Sequence, residues 1–594
     1  MVAKGTEELM CGICGIYGRS DSKTITAMTA SLAHRGPDAT AVVTTARHSL
    51  GGARLHITGA ADAPFPFGTG QGEPWLLLNG EIYNYRYWQK LLIARGYELR
   101  TGTDTEVAWA LYKEYGPGFV KHLKGMFAIA VLDGDRLLLA RDRFGIKPLF
   151  YLQRGGQLAF ASEIKALLRF AGKALPLNTS ALQEILTFGY VDDVTATAFQ
   201  GIKQVPPGGM LVFDGRELRA ERYYQLPRAF SAPVSQEDFR EQALLLANIL
   251  PAAMENILSH GPQEKGVFLS GGVDSTLMAA LVRDRGAGLL TFSLADGDEA
   301  PDLPWSRRVA QALGSKHHEI VVTFQDYLEE LPRFIYHYEN PVVGGVFDLQ
   351  GAVAFHLLCR QASRHVKVVL TGEGADELFG GYYWTYTHPL GFADRIYERL
   401  RRVTNYQSNP GLVRRVEGLF PQPEDETTYR LHIFDLLLQG GLANYHLWSV
   451  DRSCGAFGFE ARPFYLTDAV AHFALGLPVE LKVHSAATTK FLLKEVAHKY
   501  LVRYGLEEVV TRKKIGMPAA VKQLDVRFHE YARQRLSDQY LSRHPYREYL
   551  ASKAEVLLFD LFYYIFFYRG GHLENGFTVQ EALEGGLFES MYDH

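Results

Sequence analysis

Leu269-Ser270-Gly271-Gly272-Val273-Asp274-Ser275 is the stretch around which the rest of the chain is organised. It follows a short apolar run, Gly266-Val267-Phe268, and leads into Thr276-Leu277-Met278-Ala279-Ala280-Leu281-Val282, whose apolar spacing is helical. A strand, a glycine turn and a helix start are predicted in that order. Glycine lets a backbone approach an anion closely, and the free N–H groups at the positive end of a helix then hold it. No lysine follows the glycines, so this is not the GxxxxGK[ST] phosphate loop.

Outward from this loop, strands and helices alternate. Residues 289–294 read as a strand, 304–313 as a helix and 318–322 as a strand; 351–363 then read as a helix and 366–370 as a buried strand. Such alternation predicts a parallel, doubly wound sheet with ligands at the C-terminal ends of its strands. At one such end stands Thr371-Gly372-Glu373-Gly374-Ala375-Asp376-Glu377-Leu378-Phe379-Gly380-Gly381-Tyr382. Carboxylates after a buried strand suit Mg²⁺ opposite nucleotide phosphates, since Mg²⁺ is held by one or two carboxylates plus phosphate oxygens.

Bulk composition narrows the function classes. A chain of 594 residues is too long for one core, so two or three domains are expected. Apolar residues make up 47% and charged residues 22%, as in an ordinary globular protein. A net charge of −4 gives no footprint for nucleic acid. Four cysteines do not make a disulfide framework, and no signal peptide is read at residues 1–9, so a reducing, cytoplasmic setting is expected. The apolar run from Leu557 to Tyr568 is too short to span a bilayer and carries Asp560; it reads as a buried, aromatic-rich helix.

The N-terminal half opens with Met10-Cys11-Gly12-Ile13-Cys14. A CxxC pair invites a zinc or redox reading, but no second pair supplies the other ligands and the surrounding pattern is a glycine-interrupted strand. If Met10 is the start that is removed, Cys11 becomes N-terminal and its α-amine, titrating near 8, can take the thiol proton. Retention of residues 1–9 would instead block that amine. Further motifs follow in order: His34-Arg35-Gly36-Pro37-Asp38, Ala53-Arg54-Leu55, Leu78-Asn79-Gly80-Glu81-Ile82-Tyr83, Thr103-Asp104-Thr105-Glu106, Gly125-Met126-Phe127 and Arg141-Asp142-Arg143-Phe144-Gly145-Ile146-Lys147-Pro148. Taken singly they are bland. Asn79-Gly80 is a hairpin-turn signal, and a lone Arg54 or Asp104 would be a solvated charge.

Together these motifs resemble the class II, N-terminal nucleophile, glutamine amidotransferases over about residues 11–210. The SGGVDS loop resembles that of ATP pyrophosphatases, and residues 371–382 resemble the second signature of glutamine-hydrolysing asparagine synthetases, supported by Asp302-Leu303-Pro304 and His317-His318-Glu319. The resemblance implies a two-domain α/β protein. An αββα glutaminase sandwich over 10–212 and a linker over 213–238 would precede a doubly wound ATP pyrophosphatase domain with a helical C-terminal part over 239–594. It further implies Cys11 as nucleophile, Arg54, Glu81 and Asp104 as glutamine-binding residues, and Asn79 with Gly80 as the oxyanion hole. Leu269, Ser270, Gly271, Gly272, Asp274, Ser275, Leu294, Thr371 and Gly372 would hold ATP, with Asp274 and Asp376 reaching Mg²⁺. Glu373 would lie near the acyl-adenylate.

Within Thr511-Arg512-Lys513-Lys514-Ile515-Gly516, Lys514 would steady charge on the adenylate; alone, that lysine pair would be a solvated patch. The implied partners are glutamine and a small carboxylic acid, favoured as L-aspartate, in a homodimer with no nucleic acid and no membrane. Two stretches depart from the family pattern: Glu460-Ala461-Arg462-Pro463-Phe464-Tyr465-Leu466-Thr467-Asp468, and residues 339–348, where the acceptor is expected. Other acceptors, or intramolecular amide formation, are the rival expectations.

Overall fold

The computed structural model describes residues 10–592 apart from 56–63, 69, 71, 173–174, 263, 287, 298–299, 342–349, 383–384, 387, 389, 392–393, 395–396, 399–409, 422–424, 486–487 and 513–521. The N-terminal half is a sandwich of two antiparallel sheets. One is built from β1 (Met10–Tyr17), β2 (Ala39–Thr44), β3 (Ser49–Leu55), β7 (Phe150–Arg154), β8 (Gln157–Ala161) and β9 (Ile202–Gln204), in the order β2-β3-β1-β8-β7-β9. The other is built from β4 (Trp75–Ile82), β5 (Gly125–Asp133), β6 (Arg136–Arg141), β10 (Gly209–Phe213) and β11 (Leu218–Arg222), in the order β11-β10-β6-β5-β4.

Three apolar layers hold this sandwich. Ile13, Leu77, Ala130, Leu139 and Phe160 pack between the sheets. Helix Asp104–Tyr115 covers the second sheet through Val107 and Leu111, while helices Ser22–Ala30 and Ile164–Ala171 cover the first through Ile25, Met28 and Leu167. Period-two alternation along β1 sends Cys11 and Cys14 into different layers. Cys11 faces the inter-sheet core; Cys14 faces helix Ser22–Ala30, with its thiol 3.5 Å from Thr29 Oγ1 and pushed up to about 12 by burial. The two thiols cannot act as a pair from opposite faces of one strand.

Strand β11 extends the second sheet through Arg222, inside the stretch read as linker. Pro206 to Gly209 carries the chain from β9 of the first sheet to β10 of the second. At the far end of the connection Ser235 caps helix Gln236–Leu258 in a reciprocal capping box with Asp238.

The second half carries a five-stranded parallel sheet: β12 (Lys265–Phe268), β13 (Leu289–Ala295), β14 (Lys316–Val321), β15 (Val368–Thr371) and β16 (Glu460–Pro463). The order β14-β13-β12-β15-β16 reverses direction between β12 and β15, so the crevice beyond their C-terminal ends is the topological switch point. Helices Gln236–Leu258, Val273–Asp284 and Leu303–Leu313 share one core at the sheet, and Phe324–Tyr338 and Gln350–Ala362 share another. Helix Lys553–Tyr563 runs into a π-helical turn, Tyr564–Tyr568; Leu557, Phe559, Phe562 and Phe566 are buried there, as the aromatic run predicts. No helix among the described residues is long and apolar enough to cross a membrane.

Buried ion pairs sew the halves together. Arg35 donates to Glu163 at 2.9 Å and forks onto Asp451 at 2.9 and 3.0 Å, while Arg452 meets Glu163 at 3.2 Å and, within its own half, Glu339 at 2.9 Å. Glu339 also accepts from the Ile164 and Lys165 N–H groups, at 2.8 and 2.7 Å, capping a helix of the other half. A buried carboxylate is tolerated only when paired in this way.

Candidate functional site

The first constellation sits at the edge of the sandwich. Cys11 and Arg54 are direct cross-strand partners in β1 and β3, and both are buried. Across the inter-sheet layer, β4 brings Asn79 and Gly80. Asn79 is wholly buried, and neither atom of its side-chain amide has a hydrogen-bond partner among the described residues. An unsatisfied buried amide costs about 1–3 kcal/mol, so this group calls for a partner such as water or a ligand. Gly80 has φ +135° in mid-strand, and a Cβ there would run into the Met126 carbonyl of β5. The Asn79-Gly80 pair is therefore not a hairpin turn but an inward step of a strand. Asp104 opens helix Asp104–Tyr115 and accepts from the Ile82 N–H at 3.0 Å, which fixes it beside the end of β4.

Glu81 is placed differently. Its carboxylate Oε2 lies 3.3 Å from Arg462 of β16, so the side chain reaches the seam between the halves.

The second constellation lies at the switch point. After β12, Gly271 takes φ +71° and passes so close to Trp305 and Ser306 that a Cβ would collide with both. Ser270 Oγ accepts from the Gly272 N–H at 3.3 Å and sits 3.2 Å from Ser275 Oγ, which shapes the loop. Helix Val273–Asp284 then begins on Gly272 with no side-chain cap, leaving its first N–H groups for an anion. Leu269 and Leu294 are buried beside one another's strand ends, with the Leu269 N–H on the Phe292 carbonyl at 2.8 Å. At the end of β15, Thr371 is buried, and Gly372 after it lies open toward Asp274, where a Cβ would stand 3.8 Å from that residue's own. Burial pushes the Glu373 carboxyl upward; Thr371 opposes this and the charges of Glu377 and Asp376 add to it.

Asp274 and Asp376 converge on one residue that no motif pointed to, Lys490. Its ammonium pairs with Asp274 and lies 2.6 Å from Asp376 Oδ1, with its side chain almost wholly buried. Burial pulls its proton affinity down, but the two carboxylates outweigh that and push it above the ordinary lysine value. Lys490 has φ +53°, a left-handed conformation that costs a non-glycine residue on the order of 1–2 kcal/mol. The only sequence signal was a lysine starting the helix Phe491–Leu501 after Thr488-Thr489, which is unremarkable by itself. Lys514 lies outside the described residues. Two positions earlier, Arg512 pairs with Asp302, donates to the Ser270 carbonyl at 3.2 Å and lies over Trp305.

Two carboxylates beside a helix N-terminus make a donor set that suits Mg²⁺, and the buried Asp274 Oδ1 has no hydrogen-bond partner among the described residues. A second grouping of possible ligands, His34, Glu163 and His337, is poorly suited to a cation. Its carboxylate is already taken by Arg35, Lys165 and Arg452.

A glutaminase-type sandwich joined to a parallel sheet with a pyrophosphate-type loop defines a glutamine-dependent carbon–nitrogen ligase. Comparison with known proteins agrees: a glutamine amidotransferase domain model matches residues 10–224, and an asparagine synthase model matches residues 246–558, more than half of the chain. The chain belongs to the asparagine synthase family. Asparagine synthetase [glutamine-hydrolyzing] 1 of Bacillus subtilis is 27% identical, covering 92% of this chain and 93% of its own length. Asparagine synthetase [glutamine-hydrolyzing] 3 of the same organism is 28% identical over 85% and 87%. Asparagine synthetase B of Escherichia coli is 31% identical over 66% and 68%.

Proposed function

We propose that the chain adenylates the side-chain carboxylate of L-aspartate and amidates it with ammonia released from glutamine. The observation that carries this is the convergence of Asp274, Asp376 and Lys490 at the switch point of a chain that also keeps Cys11, Arg54, Asn79 and Asp104 together. The relatives' names supply the acceptor.

In the sandwich, the Cys11 thiolate attacks the glutamine amide carbon, with the α-amine of an N-terminal Cys11 taking the thiol proton. Arg54 matches the glutamine α-carboxylate as a planar fork, and Asp104 matches its ammonium. The Asn79 amide and the Gly80 N–H stabilise the oxyanion; ammonia leaves, and water cleaves the thioester to glutamate. At the switch point, an acceptor carboxylate oxygen attacks the α-phosphorus of ATP and pyrophosphate departs. The loop from Ser270 to Ser275 holds the phosphates at the helix N-terminus. Mg²⁺, held by Asp274 and Asp376, would supply charge neutralisation on those phosphates. Lys490 steadies the negative charge between the two carboxylates and the departing group, and Glu373, pushed upward, can take a proton from the attacking ammonia. AMP leaves as the amide forms.

A small cavity lined by Ile146, Val450, Cys454 and Ala461 lies at the seam, where ammonia would pass. Internal delivery matters because ammonia at neutral pH is nearly all ammonium, and holding the free amine beside its electrophile supplies proximity.

The test is amide formation from glutamine over a panel of carboxylic acids, with wild type and Cys11→Ala. L-Aspartate should be turned over, and Cys11→Ala should work only with added ammonium. Turnover of another acid and not of aspartate would move the acceptor while leaving the chemistry; the unusual run from Pro463 to Asp468 favours keeping that alternative in the panel.

A further inference from the structure

Away from both constellations, a cavity of about 270 Å³ opens where the sandwich, the connection and the helical region meet. Most charges on its wall are already matched. Asp435 accepts from Arg228 at 3.3 Å and from the Ala229 N–H at 2.9 Å, and Asp192 is met by Arg415 at 2.9 Å. Arg143 pairs with Asp468 and lies over the Tyr224 ring at 4.9 Å. Arg222 is the exception. It is exposed at the mouth of the cavity, and its side chain, like those of the exposed Gln225 and the half-buried Gln439, also on the wall, makes no hydrogen bond or ion pair among the described residues. One unmatched guanidinium fork with two free amides is complementary to a small oxyanion, since guanidinium binds carboxylate or phosphate through parallel N–H bonds.

The wall is also wired to the synthetase crevice. Gln439 and Gly440 belong to the π-helical segment Leu437–His446, a geometry concentrated at functional sites. Asn444 of the segment donates to the Val191 carbonyl at 2.6 Å and accepts from Gln204 at 2.9 Å, both in the glutaminase half. At its end His446 Nε2 lies 2.8 Å from the Tyr382 hydroxyl, which donates to Glu377, the neighbour of Asp376.

We propose that this cavity is an effector site for a small metabolite bearing a carboxylate or phosphate, held by Arg222, Gln225 and Gln439, and that the π-helical segment senses its occupancy. The site is independent of which acid is amidated.

Hydrogen–deuterium exchange on the full chain tests it, with inorganic phosphate in one arm and malonate in the other, on wild type and Arg222→Gln. Protection of residues 190–194 and 437–446 is expected, and in Arg222→Gln it should need about tenfold more ion, the loss of one charge-assisted contact. The arm that protects identifies the oxyanion. Glutaminase activity of Arg222→Gln should stay at the wild-type level, showing that the sandwich is intact. Protection confined to residues 269–275, protection of neither segment, or equal protection in the variant overturns the proposal.

Discussion

Glu81 and Arg462 meet at 3.3 Å across the seam between the halves, both almost wholly buried. Arg462 also pairs with Glu460 at 2.9 Å and donates to the His260 carbonyl at 2.7 Å. Glu81 stands two residues from Asn79 on β4, and Glu460 and Arg462 form the strand beside β15. One guanidinium therefore ties the glutaminase strand to the synthetase sheet edge.

Removing one member of such a network leaves the remaining charges buried and unmatched. Arg462→Met is expected to lower the unfolding free energy by about 3–5 kcal/mol. Denaturant unfolding of wild type and variant measures this; a midpoint that does not move would show that the seam contributes nothing net.

The orphaned amide of Asn79 makes a kinetic prediction. Asn79→Ala should reduce kcat for glutamine hydrolysis about 10²–10³-fold with KM little changed, as loss of one oxyanion donor does. Ammonium-dependent amide synthesis should stay at the wild-type level. A change confined to KM would instead make Asn79 a ground-state binding residue.

The two loops at the switch point were legible because glycine at Gly271 and Gly272, after an apolar run and before helical spacing, fixes a local geometry that needs no partner. The separate faces of Cys11 and Cys14 follow equally from strand period. What a sequence does not print is which distant chain end closes a site. Lys490 reaches Asp274 across 216 positions, and nothing in its own neighbourhood distinguishes it from the solvated lysines nearby. The basic run beginning at Arg512 stands out only through the family resemblance, since by composition it is a solvated patch, and its first arginine does touch the loop, at the Ser270 carbonyl.

His260 predicts an acid-side loss of stability. Burial drives its imidazole down to about 4, against an ordinary value near 6.5, with Arg462 among the cations that add to this. Between those values the unfolded chain binds a proton that the folded one refuses. The contribution is thus fully present above pH 6.5 and is lost as pH falls toward 4, reaching about 3 kcal/mol at most. Unfolding midpoints from pH 7 to 4.5 should fall more steeply for wild type than for His260→Asn; identical slopes would locate the titration elsewhere, among His34, His337 and His356.

Lys490 carries the last prediction. Asp274 and Asp376 both pair with its ammonium, and Gly381 leaves the space for it, since a Cβ there would collide with Asp376 and with Lys490 Cε. Lys490→Met removes the charge but keeps most of the apolar stem. Acceptor-dependent release of pyrophosphate should then fall by about 10²-fold or more, while glutamine hydrolysis at Cys11 continues. Lys490→Arg should not restore it, because a planar fork cannot replace a compact ammonium held between two carboxylates. Lys514→Met, measured alongside, separates the two lysines. If it abolishes pyrophosphate release and Lys490→Met does not, Lys490 is only a buried counterion, and the charge that steadies the reaction comes from the basic run.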